Sequence, residues 1–234
     1  MRKWTTKNGY EIFQVLAGRS NSYLVKFGDV IVLVDAGKTS AYKRLIRNID
    51  SLNISPNTQR ILVLTHTHFD HCQNAWVLFN SHQFKIVFSQ LEFEFAKQGN
   101  APLPKGTNPI TGLISKIGRN YFSSRFSYSP FTSDILVDTE MEFSTFGLNI
   151  KAVKTPGHSI GSISVIVDDE IALVGDALFG VFPNSVYPPF ADDARLMVDS
   201  WGQLLQTNCR LFLPGHGNVV SRDLLLKEYT KHSH

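Results

Sequence analysis

The feature that most constrains this chain is a short segment, HTHFDH, which directly follows an apolar run, ILVLT. This run, within the predicted strand at 60 to 65 (RILVLT), is continuous rather than alternating, which is typical of a strand buried on both faces. His66 and His68 share one side of the chain because alternate residues of an extended segment do so. Asp70 and His71 follow in the next turn. Because imidazole and carboxylate are the usual ligands of Zn²⁺ and similar ions, the sequence predicts a metal site at this strand end.

Three further residues of the same chemical kinds occupy comparable places later in the chain. His158 stands in a Pro-Gly turn, Asp176 ends the run IALVG, and His216 ends the run LFLPG. Strand ends and turns are where α/β folds place their active sites. A lone buried histidine is usually a satisfied polar group, but the joint pattern argues against that interpretation here. No role is assigned to the histidines without such a context: His82, His232 and His234.

The order of the predicted elements indicates a layered α/β architecture. In the first half the patterns predict a hairpin, a helix and two strands, at 21–37, 39–54, 60–65 and 83–89. In the second half they predict a hairpin, a helix and a strand, at 162–177, 193–206 and 210–217. Each half therefore contains the same features in the same order: a hairpin that ends in an aspartate, a helix, and a strand that ends in a histidine. We expect two similar halves that pack face to face and share one site.

An insertion from about 90 to 135 belongs to neither half. Its segment KQGNAPLPKGTNPITG is rich in Gly, Pro and Asn, which predicts loop structure. Long insertions are often lids or substrate walls, and small-molecule pockets are mostly apolar and aromatic. We therefore predict a pocket wall formed by the insertion and by 179–190; the alternative is that these aromatic residues only attach the insertion to the core. The prediction concerns Phe122, Phe126, Tyr128, Phe131, Phe182, Tyr187 and Phe190.

The composition is that of an ordinary globular protein. The 234 residues are 43% hydrophobic and 18% charged, which suits one domain over 1–234. A net charge of +3 without a basic tract predicts no nucleic-acid partner. The sequence shows no signal peptide, no apolar run of the roughly 18 residues that a membrane span needs, and only two cysteines. We expect a cytoplasmic protein with a small-molecule substrate, and the oligomeric state stays open.

The sequence resembles the metallo-β-lactamase fold superfamily, whose hallmark is HxHxDH followed by separate His, Asp and His motifs. All seven positions are filled here, and the resemblance spans nearly the whole chain. It implies an α/β fold, an αββα sandwich with the site at one edge. Asp35 matches an early strand-end aspartate of the family and would orient a metal ligand, or else cap a turn. The implied ligands are His66, His68 and His158 for a first metal ion, Asp70, His71 and His216 for a second, and Asp176 as the bridge.

The resemblance implies a hydrolase in which two divalent metal ions share a hydroxide that attacks the substrate. Zinc is the first expectation, with iron or manganese as the other possibilities. Asp70 would orient the hydroxide and move a proton. Asp176 stands where many β-lactamases of this fold carry Cys or a residue that binds no metal, which disfavours antibiotic hydrolysis. We expect a small ester, thioester or lactone as the substrate.

Three alternatives stay open. A persulfide dioxygenase of this fold would hold one iron ion, so that metal content separates it from a dinuclear zinc hydrolase. A phosphodiesterase of the same fold would use the same ligands on a different substrate. A non-catalytic metal-binding module would lack an open position for a substrate beside the metal.

Overall fold

The computed structural model describes residues 1–121, 126–133 and 135–233, and within them two sheets pack against each other. The first sheet follows the order of the chain, β1-β2-β3-β4-β5-β6-β7. Its strands are Lys3–Thr5 (β1), Glu11–Leu16 (β2), Ser22–Phe27 (β3), Val30–Val34 (β4), Gln59–Val63 (β5), Lys85–Ser89 (β6) and Ile135–Val137 (β7). Pairing is antiparallel from β1 to β4 and parallel from β4 to β7.

The second sheet has the order β13-β12-β11-β10-β9-β8. Its strands are Glu140–Glu142 (β8), Ile150–Lys154 (β9), Ile163–Val167 (β10), Ile171–Gly175 (β11), Leu211–Pro214 (β12) and Val220–Ser221 (β13). Both predicted hairpins form, as β3-β4 and β10-β11. The turn of the second hairpin holds Asp168 at φ 55° and Asp169 at φ 51°. Asp tolerates this left-handed conformation better than most residues, which explains why the hairpin turns there.

Helices cover the outer faces of the two sheets. They are Tyr42–Asp50 (α1), Phe69–Cys72 (α2), Ala75–His82 (α3), Phe93–Gln98 (α4), Pro109–Tyr121 (α5), Ala194–Gln206 (α6) and Arg222–His232 (α7). The helix predicted from residue 39 begins with a 3-10 turn, Thr39–Ala41, before α1. Asp193 caps α6 by accepting hydrogen bonds from the backbone N–H groups of Arg195 and Leu196. Across the described ranges, no helix is long and apolar enough to cross a membrane.

Three apolar layers hold this arrangement together. Side chains of both sheets fill the space between them, among them Val25, Val63, Val165 and Leu173. On the outer face of the first sheet, helices α1 and α3 contribute Leu45 and Leu78. On the outer face of the second sheet, α6 and α7 contribute Trp201 and Leu225. Since each sheet buries both faces, the order of layers is helix, sheet, sheet, helix, and the αββα sandwich expected from the sequence is confirmed.

The insertion lies between the parallel strands β6 and β7, where any parallel pair requires a crossover connection. Tyr128 and Phe131 were predicted to wall a pocket, but they are 9% and 5% exposed and pack in the core under the first sheet. The prediction was wrong for these two because the returning end of a crossover must itself pack on the sheet. Phe122 lies outside the described residues.

Candidate metal centre

All seven predicted ligand residues meet at one edge of the sandwich, beyond the ends of strands β5, β11 and β12 and in the turn before β10. Their donor atoms form three groups, within each of which every donor lies within 4.8 Å of the others. The groups are His66, His68 and His158; His66, His71 and Asp176; and Asp70, His71 and His216. The first and third groups are the two ligand sets that the family resemblance implied.

Two glycines allow the halves to approach this closely. Gly175 ends β11 with φ +51°, and a Cβ there would lie 2.4 Å from Thr65 Oγ1. At Gly215 a Cβ would lie 2.4 Å from Asp176 Oδ1 and 2.6 Å from His71 Cε1. These distances are shorter than real contacts, so a side chain at Gly215 would displace Asp176 or His71, and one at Gly175 would displace Thr65, which directly precedes His66. Gly175 and Gly215 are therefore part of the site.

Backbone carbonyls set the orientation of two imidazoles in the first group. His68 Nε2 donates to Pro102 O at 3.1 Å, and His158 Nδ1 donates to Phe190 O at 2.9 Å, since a carbonyl oxygen can only accept. This leaves His68 Nδ1 and His158 Nε2, 3.0 Å apart, as the free nitrogens. Pro102 lies in the insertion and Phe190 in the loop after β11. Both segments therefore hold metal-ligand side chains in place besides bordering the cavity.

The imidazoles of the first group are in the form that binds metal. Burial lowers the pKa of His68 and of His158 to about 4. Burial, followed by the neighbouring imidazole of His71, lowers the pKa of His66 well below its ordinary value. All three side chains are thus neutral at pH 7, and a neutral imidazole offers a lone pair to a cation.

Asp176 lies between the two ligand sets. Its Oδ2 is 3.3 Å from His216 Nε2 and 3.5 Å from His158 Nε2, and its Oδ1 is 3.3 Å from His71 Nε2. Burial alone would raise the pKa of Asp176, but His216, His71 and His158 together outweigh it and hold the pKa well below the usual range. Burial alone would lower the pKa of His71 and of His216, but the neighbouring carboxylates together raise both: Asp176, Asp35 and Asp70 act on His71, and Asp176 and Asp70 act on His216.

Two buried polar atoms at the centre of the cluster fit a cation. His66 Nε2 and Asp176 Oδ1 are buried and have no hydrogen-bond partner among the described residues; the approach of Asp176 Oδ1 to His71 lacks hydrogen-bond geometry. Such an atom costs about 1–3 kcal/mol when it stays unsatisfied. A set of imidazoles and carboxylates is the donor chemistry of zinc, iron and manganese sites. The residues present therefore fit divalent metal ions.

Asp35 contacts the second ligand set. Its Oδ2 accepts a hydrogen bond from His71 Nδ1 at 2.8 Å, and its Oδ1 accepts from Thr65 N at 2.8 Å. Thr65 Oγ1 donates to the same carboxylate and lies 3.0 Å from His66 Nδ1. The arrangement directs His71 Nε2 toward the cluster. Thr65 was not singled out from the sequence, although its place directly before His66 was the available signal.

We expect Asp35→Asn to lower metal affinity by about 10–100-fold, the usual cost of a lost partner behind a ligand. Asp35 has φ 62°, which Asn also tolerates, so that the fold is preserved. Competition with a chromogenic chelator measures the effect. The matched control is Asp169→Asn, at φ 51° in an exposed turn. Equal metal affinity in both variants would show that Asp35 only shapes its turn.

Glu92 joins the loops that carry His68 and His158. It is 1% exposed; its Oε2 accepts from Thr67 N at 3.1 Å and from the Thr67 hydroxyl, and its Oε1 accepts from Ser159 Oγ at 2.7 Å. The two loops lie in different halves of the molecule, so this carboxylate fixes them relative to each other. Nothing in the segment SQLEFEF distinguished Glu92 from an exposed residue.

Asn21 holds the loop of His216 in a comparable way. Its Nδ2 donates to Pro214 O at 2.9 Å and to Gly217 O at 3.0 Å, and its backbone N–H donates to Gly215 O at 2.7 Å. The first sheet thereby positions a ligand that belongs to the second. The sequence contained no signal for this role, because Asn21 precedes a strand as many loop residues do.

A cavity of about 310 Å³ opens onto the cluster. Of the aromatic residues predicted to wall it, Phe126 and Phe190 do so. Phe182 is 52% exposed, and Tyr187 packs on Trp201 with ring centroids 5.9 Å apart, so the prediction was wrong for these two. Besides ligand residues, the lining is Phe69, Leu103, Pro104, Ile114, Ser115, Gly118, Phe126, Phe179, Pro188, Pro189 and Phe190. No Lys or Arg of the described ranges is among them.

Comparisons with known proteins agree with this fold. A curated relative, a probable metallo-hydrolase of Methanocaldococcus jannaschii, is 25% identical over 206 residues, 87% of this chain and 90% of its own. An atrochrysone carboxyl ACP thioesterase of Aspergillus fumigatus is 25% identical over 205 residues, 86% of this chain but 51% of its own. The crystal structure of a metallo-beta-lactamase superfamily protein, ST1585 from Sulfolobus tokodaii, superposes with a TM-score of 0.66 at 19% identity, covering 94% of this chain and 85% of that one.

The family model of the metallo-beta-lactamase superfamily matches residues 15–216. This range begins in β2 and ends at His216, and it therefore contains every residue of the three donor groups. The match covers far more than half of the chain, and the chain belongs to the metallo-beta-lactamase superfamily of hydrolases.

Proposed function

We propose that the protein is a dinuclear metallo-hydrolase that cleaves a small ester, thioester or lactone. The observation that carries this proposal is the pair of ligand sets with Asp176 between them, at one end of an apolar cavity. We assign His66, His68 and His158 to one divalent ion, Asp70, His71 and His216 to the other, and Asp176 to both. Zinc is the first choice for both ions, with iron or manganese as alternatives.

When bound, two such ions lower the pKa of a water molecule and polarise the carbonyl oxygen of the substrate. Asp70 lines the cavity, and its side chain is 20% exposed, whereas Asp176 is 8% exposed. We therefore assign to the Asp70 carboxylate the role of orienting the attacking water and accepting its proton. A C–O bond forms to the carbonyl carbon as the bond to the leaving alcohol or thiol breaks. The proton held by Asp70 then passes to that leaving group.

The cavity favours a carbonyl substrate over a phosphodiester. A phosphodiester carries a full negative charge that proteins usually bind with Arg or Lys. Within the described part of the chain, the cavity lining contains neither residue. A thioester or ester has an uncharged reacting group and suits apolar walls. The similarity to the Aspergillus thioesterase supports the thioester choice.

Metal content tests the dinuclear proposal. We expect purified protein to contain about two divalent ions per chain, and removal by a chelator to abolish hydrolysis, which zinc then restores. Elemental analysis and a panel of thioesters, esters, lactones and a phosphodiester measure both. One iron per chain with oxygen consumption would support an oxidoreductase instead. Faster cleavage of the phosphodiester than of every carbonyl substrate would overturn the substrate class.

A further inference from the structure

We propose that the cavity binds the uncharged aliphatic acyl chain of the substrate, and that the exposed apolar face of α5 extends this surface for longer chains. The inference rests on the proposed function and names the substrate class of the same site. The acyl-chain surface consists of the cavity lining together with Ile110, Leu113, Ile114 and Ile117 of α5.

Helix α5 exposes its large apolar residues and buries small ones, the reverse of an ordinary surface helix. The exposed fractions are 73% for Ile110, 60% for Leu113, 54% for Ile114 and 43% for Ile117. Spacings of three and four residues place these four side chains on one face of the helix. Ser115, by contrast, is 2% exposed and donates a hydrogen bond to Pro104 O at 2.6 Å. A contiguous exposed apolar face of this kind marks a binding surface.

Ile114 makes the exposed face continuous with the cavity, because it belongs to both. Gly118, one turn further along α5, also lines the cavity, and a Cβ there would lie 2.8 Å from Leu103 Cδ1. The absence of a side chain at this position keeps the cavity open on the side of the helix. An acyl chain whose carbonyl lies at Asp70 and Asp176 can therefore run past Gly118 and Ile114 onto the outer face of α5.

The opposite wall is fixed to the segment that leads into α5. Thr107 N donates to Pro189 O at 3.0 Å, and Thr107 Oγ1 donates to Pro188 O at 3.0 Å. Ala191 N donates to Lys105 O at 2.8 Å, and Gly106 pairs with Phe190 as an isolated bridge. These bonds hold the two walls together around the cavity.

The chemistry of the walls requires an apolar acyl group. A charged or hydroxylated chain would lose its hydration among Phe, Leu and Pro side chains without gaining partners. The volume of about 310 Å³ lies at the lower end of small-molecule pockets, which span about 300–1,000 Å³. The cavity by itself therefore holds a short chain, and the remainder of a longer chain would lie on the exposed face of α5. Other occupants of that face, a second copy or a lipid surface, are outcomes of the test.

Acyl thioesters of two to twelve carbons test the inference with the metal-loaded protein. We expect kcat/KM to rise with chain length by up to about fourfold per methylene, the full transfer value of a buried CH2 group. Ile114→Asn and Ile117→Asn should flatten the rise for the longer chains. The matched control is Leu226→Asn, since Leu226 is 52% exposed on α7, outside the cavity. This variant should show the wild-type dependence of kcat/KM on chain length.

A binding measurement separates the inference from the proposed function. Calorimetry compares the affinity of the metal-loaded protein for the N-methyl amides of butanoic and octanoic acids, and we expect tighter binding of the octanoic amide. If no ester or thioester is cleaved but the amides bind in this order, the proposed function is overturned and the acyl-chain surface stands. A flat chain-length series in an active enzyme overturns the acyl-chain surface alone. The acyl-chain surface is also overturned if Ile117→Asn keeps the wild-type dependence of kcat/KM on chain length. In that case, conversion of a dimer to a monomer by this variant would assign the face of α5 to a second copy, and release from lipid vesicles would assign it to a lipid surface.

Discussion

Asp70→Asn should lower turnover of the ester or thioester substrate by at least about 10²-fold, the usual scale of a lost general base. Asn keeps the size of the side chain and its place in the first turn of α2, so that the fold is unaffected. The amide cannot accept the proton of the attacking water, and it is a weaker metal ligand than a carboxylate. The measurement is kcat of protein loaded with metal, with metal content determined on the same sample.

The matched control is Asp199→Asn, which makes the same chemical change at an exposed position of α6. We expect wild-type turnover and metal content in this variant. Wild-type turnover in Asp70→Asn, with both metal ions still bound, would show that the proton passes through another group.

Glu92→Ala should lower the free energy of unfolding by at least about 3 kcal/mol and also weaken metal binding. The substitution leaves the N–H and hydroxyl of Thr67 and the hydroxyl of Ser159 without their acceptor in a buried space, at about 1–3 kcal/mol each. The loops of His68 and His158 then lose the carboxylate that joins them. Urea unfolding of the chelator-treated protein measures stability, and chelator competition under folding conditions measures metal affinity.

Two companions make this second experiment decisive. Glu92→Gln keeps the size of the side chain and one acceptor oxygen, so that we expect a smaller loss of both quantities. Glu94→Ala, exposed in α4, should stay within about 0.5 kcal/mol of the wild type. If Glu92→Ala loses stability but binds metal with wild-type affinity, Glu92 only supports the fold. If Glu92→Ala behaves like Glu94→Ala, the buried hydrogen bonds of Glu92 contribute nothing to the free energy of unfolding.

Local patterns were enough to predict the framework of the site. The runs before His66 and Asp176 predicted strands, and both strands form, since a short continuous apolar run suits a strand that is buried on both faces. The hairpin over 162–177 was also predicted, and its turn falls at Asp168 and Asp169, which have the positive φ that Asp tolerates. Each of these inferences concerns neighbours along the chain, where sterics and periodicity act directly.

Where the aromatic side chains pack could not be predicted in the same way. Phe126 lines the cavity, whereas Tyr128, two residues later, packs in the core. Tyr187 packs on Trp201 of α6, while Phe190, three residues later, lines the cavity. An aromatic side chain is equally stable against either kind of apolar surface. Which surface it meets depends on how the crossover and the loop after β11 lie on the sheets.

The sequence by itself determined which residues have metal-ligand chemistry and that each stands at a strand end or turn, since both follow from side-chain type and local periodicity. The family resemblance implied that His66 and Asp176 meet in one site, and the tertiary structure brings them together from different sheets. Only the tertiary structure decided that Glu92 is buried between two loops and that α5 presents its large apolar residues outward. These features depend on how the two sheets pack and on what covers each surface. Contacts between distant segments form through that packing, and no local pattern encodes them.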